Sequence, residues 1–285
     1  MTDEQQLPYT VVDGASFTPD SDEVIPFSLS VEGLEGTGKT HFSLMTSPLP
    51  IRHVNFSDRS AKGWLYAMSE ERRAATKLFD FAPLTKAGWS RADGLKSLSA
   101  LSQLAQAEMA EGKLQGGTFI IDSGSTWWDV IQECYVAPEA EKQQRDYGKQ
   151  LGGLAYGKGN LIVKGIVNWL KAQGAFVILT HQMKQNWAGD GPIAGSYSPR
   201  MNTQVGYMVE VRLQLYLKCN DCGGTECVKP NHTRTHYGRI VKFGNNTPGG
   251  TAMIGMELPN PSMSMIYNLF TGRQLPGVPE SIGGK

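Results

Sequence analysis

The sequence has little that would carry it out of a cell or into a membrane. Only four cysteines occur in 285 residues, and three of them lie between positions 219 and 227. So sparse and clustered a set excludes a disulfide framework and points to metal ligation in a reducing compartment. No apolar run approaches the roughly 20 residues of a membrane-spanning helix. The opening residues, Met1-Thr2-Asp3-Glu4-Gln5-Gln6, hold no apolar signal core. A soluble, cytoplasmic protein without membrane contact is therefore expected. An excess of either charge is also missing, since 27 basic residues balance 27 acidic ones. That excludes a histone-like coating protein but leaves room for a local basic channel. A hydrophobic content of 40% supports a sizeable core, and the length suits one large domain with small additions.

What is present is one strong motif. Gly33-Leu34-Glu35-Gly36-Thr37-Gly38-Lys39-Thr40 reads G-x-x-x-x-G-K-T. An alternating apolar run, Ile25 to Val31, precedes it and predicts a buried strand. His41-Phe42-Ser43-Leu44-Met45 follows and predicts a first helical turn. Strand, glycine loop and helix together are the context of a phosphate-binding loop. Glycines at 33, 36 and 38 let backbone N–H groups turn inward around a polyphosphate. The helix dipole faces the anion, Lys39 reaches the β- and γ-phosphates, and the Thr40 hydroxyl ligates Mg²⁺. ATP and Mg²⁺ are the expected cofactors, with the whole stretch, Glu35 and Thr37 included, as the cradle. The structural alternative is a chance glycine-rich turn, which both flanks disfavour.

Further elements extend the pattern. Ile51 to Asp58 predicts a second strand. Ligands of α/β sheets sit beyond the carboxyl ends of strands, so Asp58 is a candidate to orient or activate an attacking water, or else a helix cap. Residues 60–113 predict mostly helix, broken around 81–94, with Leu95, Leu98, Leu101 and Leu104 as a core stripe. Gly117 to Ser123 predicts a buried central strand ending on Asp122, placed as a Walker B aspartate to hold Mg²⁺. A fourth strand, Ala175 to Thr180, ends His181-Gln182. Gln182 is the candidate γ-phosphate sensor, and His181 reads as a packing or capping residue.

Two glycine-containing stretches carry cations and aromatic rings. Gln143 to Asn160 interleaves Arg145, Tyr147, Lys149, Tyr156 and Lys158. Met183 to Gly206 holds Lys184, Trp187, Tyr197 and Arg200. Flexible backbone, positive charge and stacking faces suit a single nucleic-acid strand; ordinary solvated loops are the alternative.

Alternating strands are predicted over 209–217 and 237–243. Between them stands Cys219-x2-Cys222-x4-Cys227-x4-His232, with His236 four residues on. Three thiols and an imidazole at this spacing can close a tetrahedron around Zn²⁺, with His232 or His236 as the fourth ligand. The intervals match retroviral-type zinc knuckles with the third and fourth ligand types exchanged. A reduced, metal-free hairpin tip is the alternative. Lys218, Lys229 and Arg234 surround the cluster and would permit contact with nucleic acid. Cys134, far from the others, reads as buried.

The order of Walker A loop, Asp-ended second strand, Walker B strand and His-Gln-ended fourth strand resembles the RecA/RadA-type ATPase core, over about residues 27–258. The resemblance implies an α/β fold: a P-loop NTPase core with a central, mostly parallel sheet flanked by helices. A C-terminal β-hairpin would carry a zinc-knuckle-like insertion. The implied layout is an N-terminal arm over 1–26, a core over 27–275 with the insertion at 218–237, and a tail over 276–285. The arm, with Tyr9-Thr10-Val11-Val12, reads as flexible or as a strand docking on a neighbouring subunit. Ile240 to Thr251 resembles the element carrying the trans-acting finger of DnaB- and RadA-type proteins. Lys242 matches its lysine while Gly244 stands where its arginine belongs, so the implied finger is lysine alone.

The compact layout, with Asp146-Tyr147-Gly148 ahead of the helix and fourth strand, resembles bacteriophage P-loop proteins of the RecA-like single-strand annealing class. This implies an ATP-dependent, oligomeric single-stranded DNA-binding protein of phage recombination, acting as a ring or filament in the host cytoplasm. A single-strand-binding protein is a candidate partner. RecA-type proteins use a catalytic Glu near the second strand. Asp58 in that place implies slow hydrolysis, stimulated by assembly and DNA. An ATP-driven helicase or translocase and a nucleotide-gated protein scaffold are the alternatives. The short chain favours annealing over the motor, and the two aromatic-basic stretches favour both over the scaffold.

Overall fold

The computed structural model describes residues 24–56, 60–81, 89–148, 155–189, 191–201, 205–225, 227, 229–244 and 250–276. Among the described residues, nine strands form one sheet. They are β1 (Ser28–Gly33), β2 (Ile51–Asn55), β3 (Thr76–Asp80), β4 (Thr118–Asp122), β5 (Phe176–Ala188), β6 (Gly191–Pro199), β7 (Val211–Cys219), β8 (Arg234–Phe243) and β9 (Glu257–Pro259). Their spatial order is β3-β2-β4-β5-β1-β7-β8-β9, with β6 paired to β5 alone. From β3 to β7 every neighbouring pair is parallel, whereas β8 and β9 join antiparallel. The expected α/β class, a mostly parallel sheet flanked by helices, is what forms.

Alternation along the central strands supplies two core layers. Leu29, Val31, Ile120, Ile178 and Leu213 face one side, against Phe42 and Leu44 of α1 (Lys39–Thr46) and Ile266 and Tyr267 of the C-terminal helix Met263–Thr271. Phe119, Ile121, Val177 and Leu179 face the other, against helices Arg91–Met109, Gly124–Ile131 and Gly157–Ala172. Such fully buried side chains contribute roughly 1.5–3 kcal/mol each, and strands covered on both faces suit the parallel arrangement. The leucine stripe lies in the second layer, with Leu98 and Leu101 buried and Leu95 and Leu104 packed against them. Ser90 and Asp93 close a capping box at the start of that helix.

Three expectations change. Residues 76–80, expected within a helical region, form β3, because pairing with β2 at the sheet edge outweighs a five-residue segment's weak local preference. The 183–206 stretch, expected as a mobile loop, is largely the β5–β6 hairpin. Its glycines mark bends, with positive φ at Gly189 and Gly195. Cross-strand bonds from Asn186 to Ser196 (3.0 Å) and from Ser198 to Asn186 (2.7 Å) close the ladder. The 143–160 stretch is helical at both ends: the helix Ala137–Tyr147 closes on Tyr147 and the next helix opens at Gly157. No described helix is long and apolar enough to cross a membrane.

Because the central strands run parallel, their carboxyl ends share one edge. Two hairpins project past that edge. β5 continues from its last pairing with β1 at Gln182 to Ala188. β7 runs five residues, Leu215 to Cys219, past its last pairing with β1 at Gln214, about 16 Å at the usual rise per residue.

Candidate functional site

The glycine loop leaves β1 at Gly33 and enters α1 at Lys39. Each glycine has a separate reason. A Cβ on Gly33 would lie 2.3 Å from Thr37 Oγ1 and 2.8 Å from the Leu215 carbonyl. Gly36 and Gly38 sit at φ 76° and 87°, a region that side chains rarely adopt. Thr37 Oγ1 donates to the Leu34 carbonyl at 2.8 Å, tightening the turn. The Lys39 ammonium folds over the loop, 2.9 Å from the Gly33 carbonyl and 2.7 Å from that of Leu34. Leu34, Glu35 and Gly36 are exposed, whereas Thr37 is buried.

Beside the loop, Asp122 ends β4 and collects three partners. Thr40 Oγ1 donates to its Oδ2 at 2.7 Å, Thr180 Oγ1 to its Oδ1 at 2.5 Å, and His53 Nε2 lies 3.2 Å from Oδ2. Burial alone would raise this carboxyl. The hydrogen bonds from His53, Thr180 and Thr40 outweigh it and hold Asp122 below the usual carboxylate range. The result is a fixed negative charge one hydroxyl away from the start of α1. His53 and Thr180 escaped the sequence reading. Only their even offset along β2 and β5, on the face that α1 covers, could have marked them.

The carboxyl end of β5 borders the same loop. Gln182 is level with Gly33 and its side chain is exposed. Its backbone is clamped, with its N–H donating to Ser125 Oγ at 3.0 Å and its carbonyl accepting from the Arg200 N–H at 2.7 Å. The neighbouring His181 points to the opposite face, where Nδ1 lies 2.9 Å from Ser30 Oγ. Ser30 in turn donates to Glu32 at 3.1 Å, and Arg212 holds Glu32 through two bonds of 2.6 and 3.0 Å. Complete burial, aided by the Arg212 charge, lowers the His181 pKa to about 3. His181 is therefore a neutral packing residue.

The aromatic and basic candidates divide. Lys184 and Trp187 stand exposed on the β5–β6 hairpin and Tyr197 is half-buried there. Arg200 follows β6 and pairs with Asp129 at 2.5 Å. Tyr156 is exposed, its ring stacked 6.4 Å from that of Trp128. Lys158 pairs with Glu139 at 3.8 Å, and Arg145 is exposed in the last turn of the helix Ala137–Tyr147. Asp58 and Lys149 lie outside the described residues. Lys242 is not brought to the glycine loop of its own chain. It pairs across to Arg212, itself level with Ser30, and its ammonium contacts the carbonyls of Tyr207 (3.2 Å) and Val209 (2.6 Å).

At the tip of the β7–β8 hairpin, the ligand atoms of Cys219, Cys222, Cys227 and His232 all lie within 4.8 Å of one another. A tetrahedral zinc with Zn–S bonds of about 2.3 Å needs ligand separations of about 3.7 Å. His232 Nδ1 is 3.2 Å from Cys219 Sγ and 3.5 Å from Cys227 Sγ. The Cys222 N–H points at Cys219 Sγ from 3.4 Å. Burial works against a Cys219 thiolate, but hydrogen bonds from the Cys222 side chain and backbone and from His232 lower its pKa to about 6. This cluster could hold a metal such as zinc. His232 rather than His236 completes it, because His232 lies in the turn before β8, whereas His236 sits inside β8, paired with Leu217 two residues short of Cys219. His236 is instead directed at the glycine loop, with Nδ1 3.2 Å from the Thr37 carbonyl.

No known protein-family model matches the chain, and no curated protein matches it in sequence.

Proposed function

We propose that this chain is a P-loop ATPase with a RecA/RadA-like core that binds single-stranded DNA as an oligomer, in the manner of phage annealing proteins. The observation that carries the reading is the convergence at Asp122. Thr40 from the glycine loop and the acidic end of β4, two motifs far apart in sequence, meet at 2.7 Å beside Lys39.

In this reading the backbone N–H groups of Gly36 and of residues 38–40 line the triphosphate, while that of Thr37 closes the turn on Leu34. Lys39 exchanges its present carbonyl contacts for the β- and γ-phosphates. Thr40 and Asp122 are the residues that would hold Mg²⁺, which when bound offsets phosphate charge. The residues fit that role, since a hydroxyl and an ionised carboxylate already share one point. Gln182, exposed and level with Gly33, reads the γ-phosphate and passes its presence to the β5–β6 hairpin through its own strand. Trp187 and Lys184 on that hairpin, with Tyr156, Arg145 and Lys158, supply stacking faces and charge for the strand. Lys242, distant from its own loop, acts on a neighbouring subunit's nucleotide. The Cys219, Cys222, Cys227 and His232 cluster holds a structural Zn²⁺, its donor set and spacing matching that ion.

The deciding experiment titrates the protein with a fluorescent ATP analogue, with and without Mg²⁺, and then measures anisotropy of a labelled single-stranded oligonucleotide in ATP, ADP or neither. Mg²⁺-dependent triphosphate binding and tighter DNA binding with ATP are expected. Nucleotide binding without DNA binding in any state would leave the scaffold as the better reading. Strand separation on a forked duplex would establish the motor.

A further inference from the structure

The β7–β8 hairpin carries the metal cluster outward past the sheet edge, and on its way it touches the glycine loop twice. The Leu215 carbonyl stands 2.8 Å from where a Gly33 Cβ would be. The His236 ring stands against Gly38, where a Cβ would meet its Cε1 at 3.1 Å and Nδ1 at 3.2 Å. His236 Nδ1 is also 3.2 Å from the Thr37 carbonyl. One hairpin thus crowds both ends of a loop with three glycines, and at the second end it is hydrogen-bonded to it.

We propose that the metal-bearing hairpin is a clasp on the nucleotide loop, with His236 as the positioning residue. This inference rests on the nucleotide-binding reading above. In a trans peptide the carbonyl and the next N–H point in opposite directions. The Nδ1–H tautomer of His236 donates to the Thr37 carbonyl on the outer wall, so the Gly38 N–H of the same peptide unit is turned to the inner, phosphate-facing side. Glycine-rich loops otherwise lose much conformational freedom when they order around an anion. A contact that orders the loop beforehand therefore appears as affinity.

Cys219, itself a ligand, pairs with Arg234, and only the Lys218–Thr235 pair separates it from the Leu217–His236 pair. Among the described residues of the tip, 220–225, 229–231 and 233 are all exposed. Its internal bonds are polar, among them Thr233 N–H to Asp221 at 2.8 Å, Thr235 Oγ1 to Asn220 at 2.9 Å and Asn220 N–H to the Thr233 carbonyl at 3.0 Å. Ligation by Cys219, Cys222, Cys227 and His232 would tie both sides of the tip together where only solvent-exposed polar bonds otherwise do so. Loss of the metal frays the pairing down to His236 and frees the loop.

The test compares affinity for a fluorescent ATP analogue in zinc-loaded, chelator-treated and zinc-restored protein, together with His236→Ala, His236→Phe and His236→Asn. One hydrogen bond is worth roughly 0.5–1.5 kcal/mol net, so the Ala and Phe variants should bind about two- to tenfold more weakly. Asn, whose amide can stand where Nδ1 stands, should restore most of the loss, which mere space-filling by Phe would not. Chelation should weaken the wild type by a similar factor, reversibly, and add little to His236→Ala, as expected of two changes on one path. Cobalt absorption reports occupancy of the cluster independently of nucleotide. Unchanged affinity on chelation, or equal affinity of Ala and wild type, overturns the clasp while leaving nucleotide binding intact. No triphosphate binding by zinc-loaded wild type overturns both.

Discussion

Thr40 and Asp122, 82 positions apart, are joined by a 2.7 Å hydrogen bond. The same carboxylate also serves His53 and Thr180, so its loss has two separable effects. Asp122→Asn keeps the volume but removes the charge, and should abolish most of the Mg²⁺-dependent gain in triphosphate affinity. Asp122→Ala also strands buried donors and should destabilise the fold by about 2–4 kcal/mol. Urea unfolding of both variants, alongside nucleotide titration with and without Mg²⁺, separates the two. Lys39→Ala should cost triphosphate affinity roughly ten- to a hundredfold with little change in unfolding midpoint.

The Cys219, Cys222, Cys227 and His232 cluster should hold about one zinc per chain, measurable by elemental analysis of protein purified without chelator. Cys219→Ser with Cys222→Ser should remove it and raise hydrogen exchange over residues 217–237, leaving the central strands protected. Metal-free wild type that takes up no cobalt would contradict this.

His181 gives a pH dependence whose sign follows from its burial. The folded pKa is about 3 and that of an unfolded histidine is about 6.5, so the unfolded chain binds the proton first. Stability is then lost as pH falls from about 6.5 toward 3. Between pH 7 and 5.5 the loss should be about 1 kcal/mol for this residue. Asp122 and Glu210, lowered carboxyls, act only at more acidic pH. His41, whose pKa burial also lowers, contributes in the same window. Urea unfolding at the two pH values in wild type and His181→Asn isolates the His181 share, and equal losses would contradict a buried neutral His181.

Trp187, 65% exposed on the β5–β6 hairpin, has no folding reason to be there. Stacking contributes about 1–3 kcal/mol per base, so Trp187→Ala should weaken single-strand binding about tenfold and leave stability unchanged. Lys184→Ala should instead flatten the salt dependence by about 0.7 in the log–log slope, the value for one phosphate contact to a single strand. Anisotropy across a salt series distinguishes the two, and an unaffected Trp187 variant would remove the hairpin from the interface.

How much of this was legible in advance depends on the range of the interaction responsible. Local signals carried the glycine loop, because φ values of 76° and 87° at Gly36 and Gly38 exclude most side chains. They also carried the apolar strand running into Asp122, and the Cys-Cys-Cys-His spacing, whose ligands chelation brings close in sequence. The fold class followed, since buried strands alternating with helices admit few arrangements. Tertiary structure alone decided the rest. β3 exists because β2 offers it an edge, and the 183–199 stretch is a hairpin because strand pairing overrides its glycines. Which histidine joins the thiols was set by position along the hairpin, with His232 in the tip turn before β8 and His236 within β8 opposite Leu217. That placement sends His232 to the cluster and His236 to Thr37, across 199 positions that no local pattern spans. His53 and Thr180 reach Asp122 because β2 and β5 flank β4 in the sheet. Sheet order, not sequence spacing, determines which strand ends become neighbours.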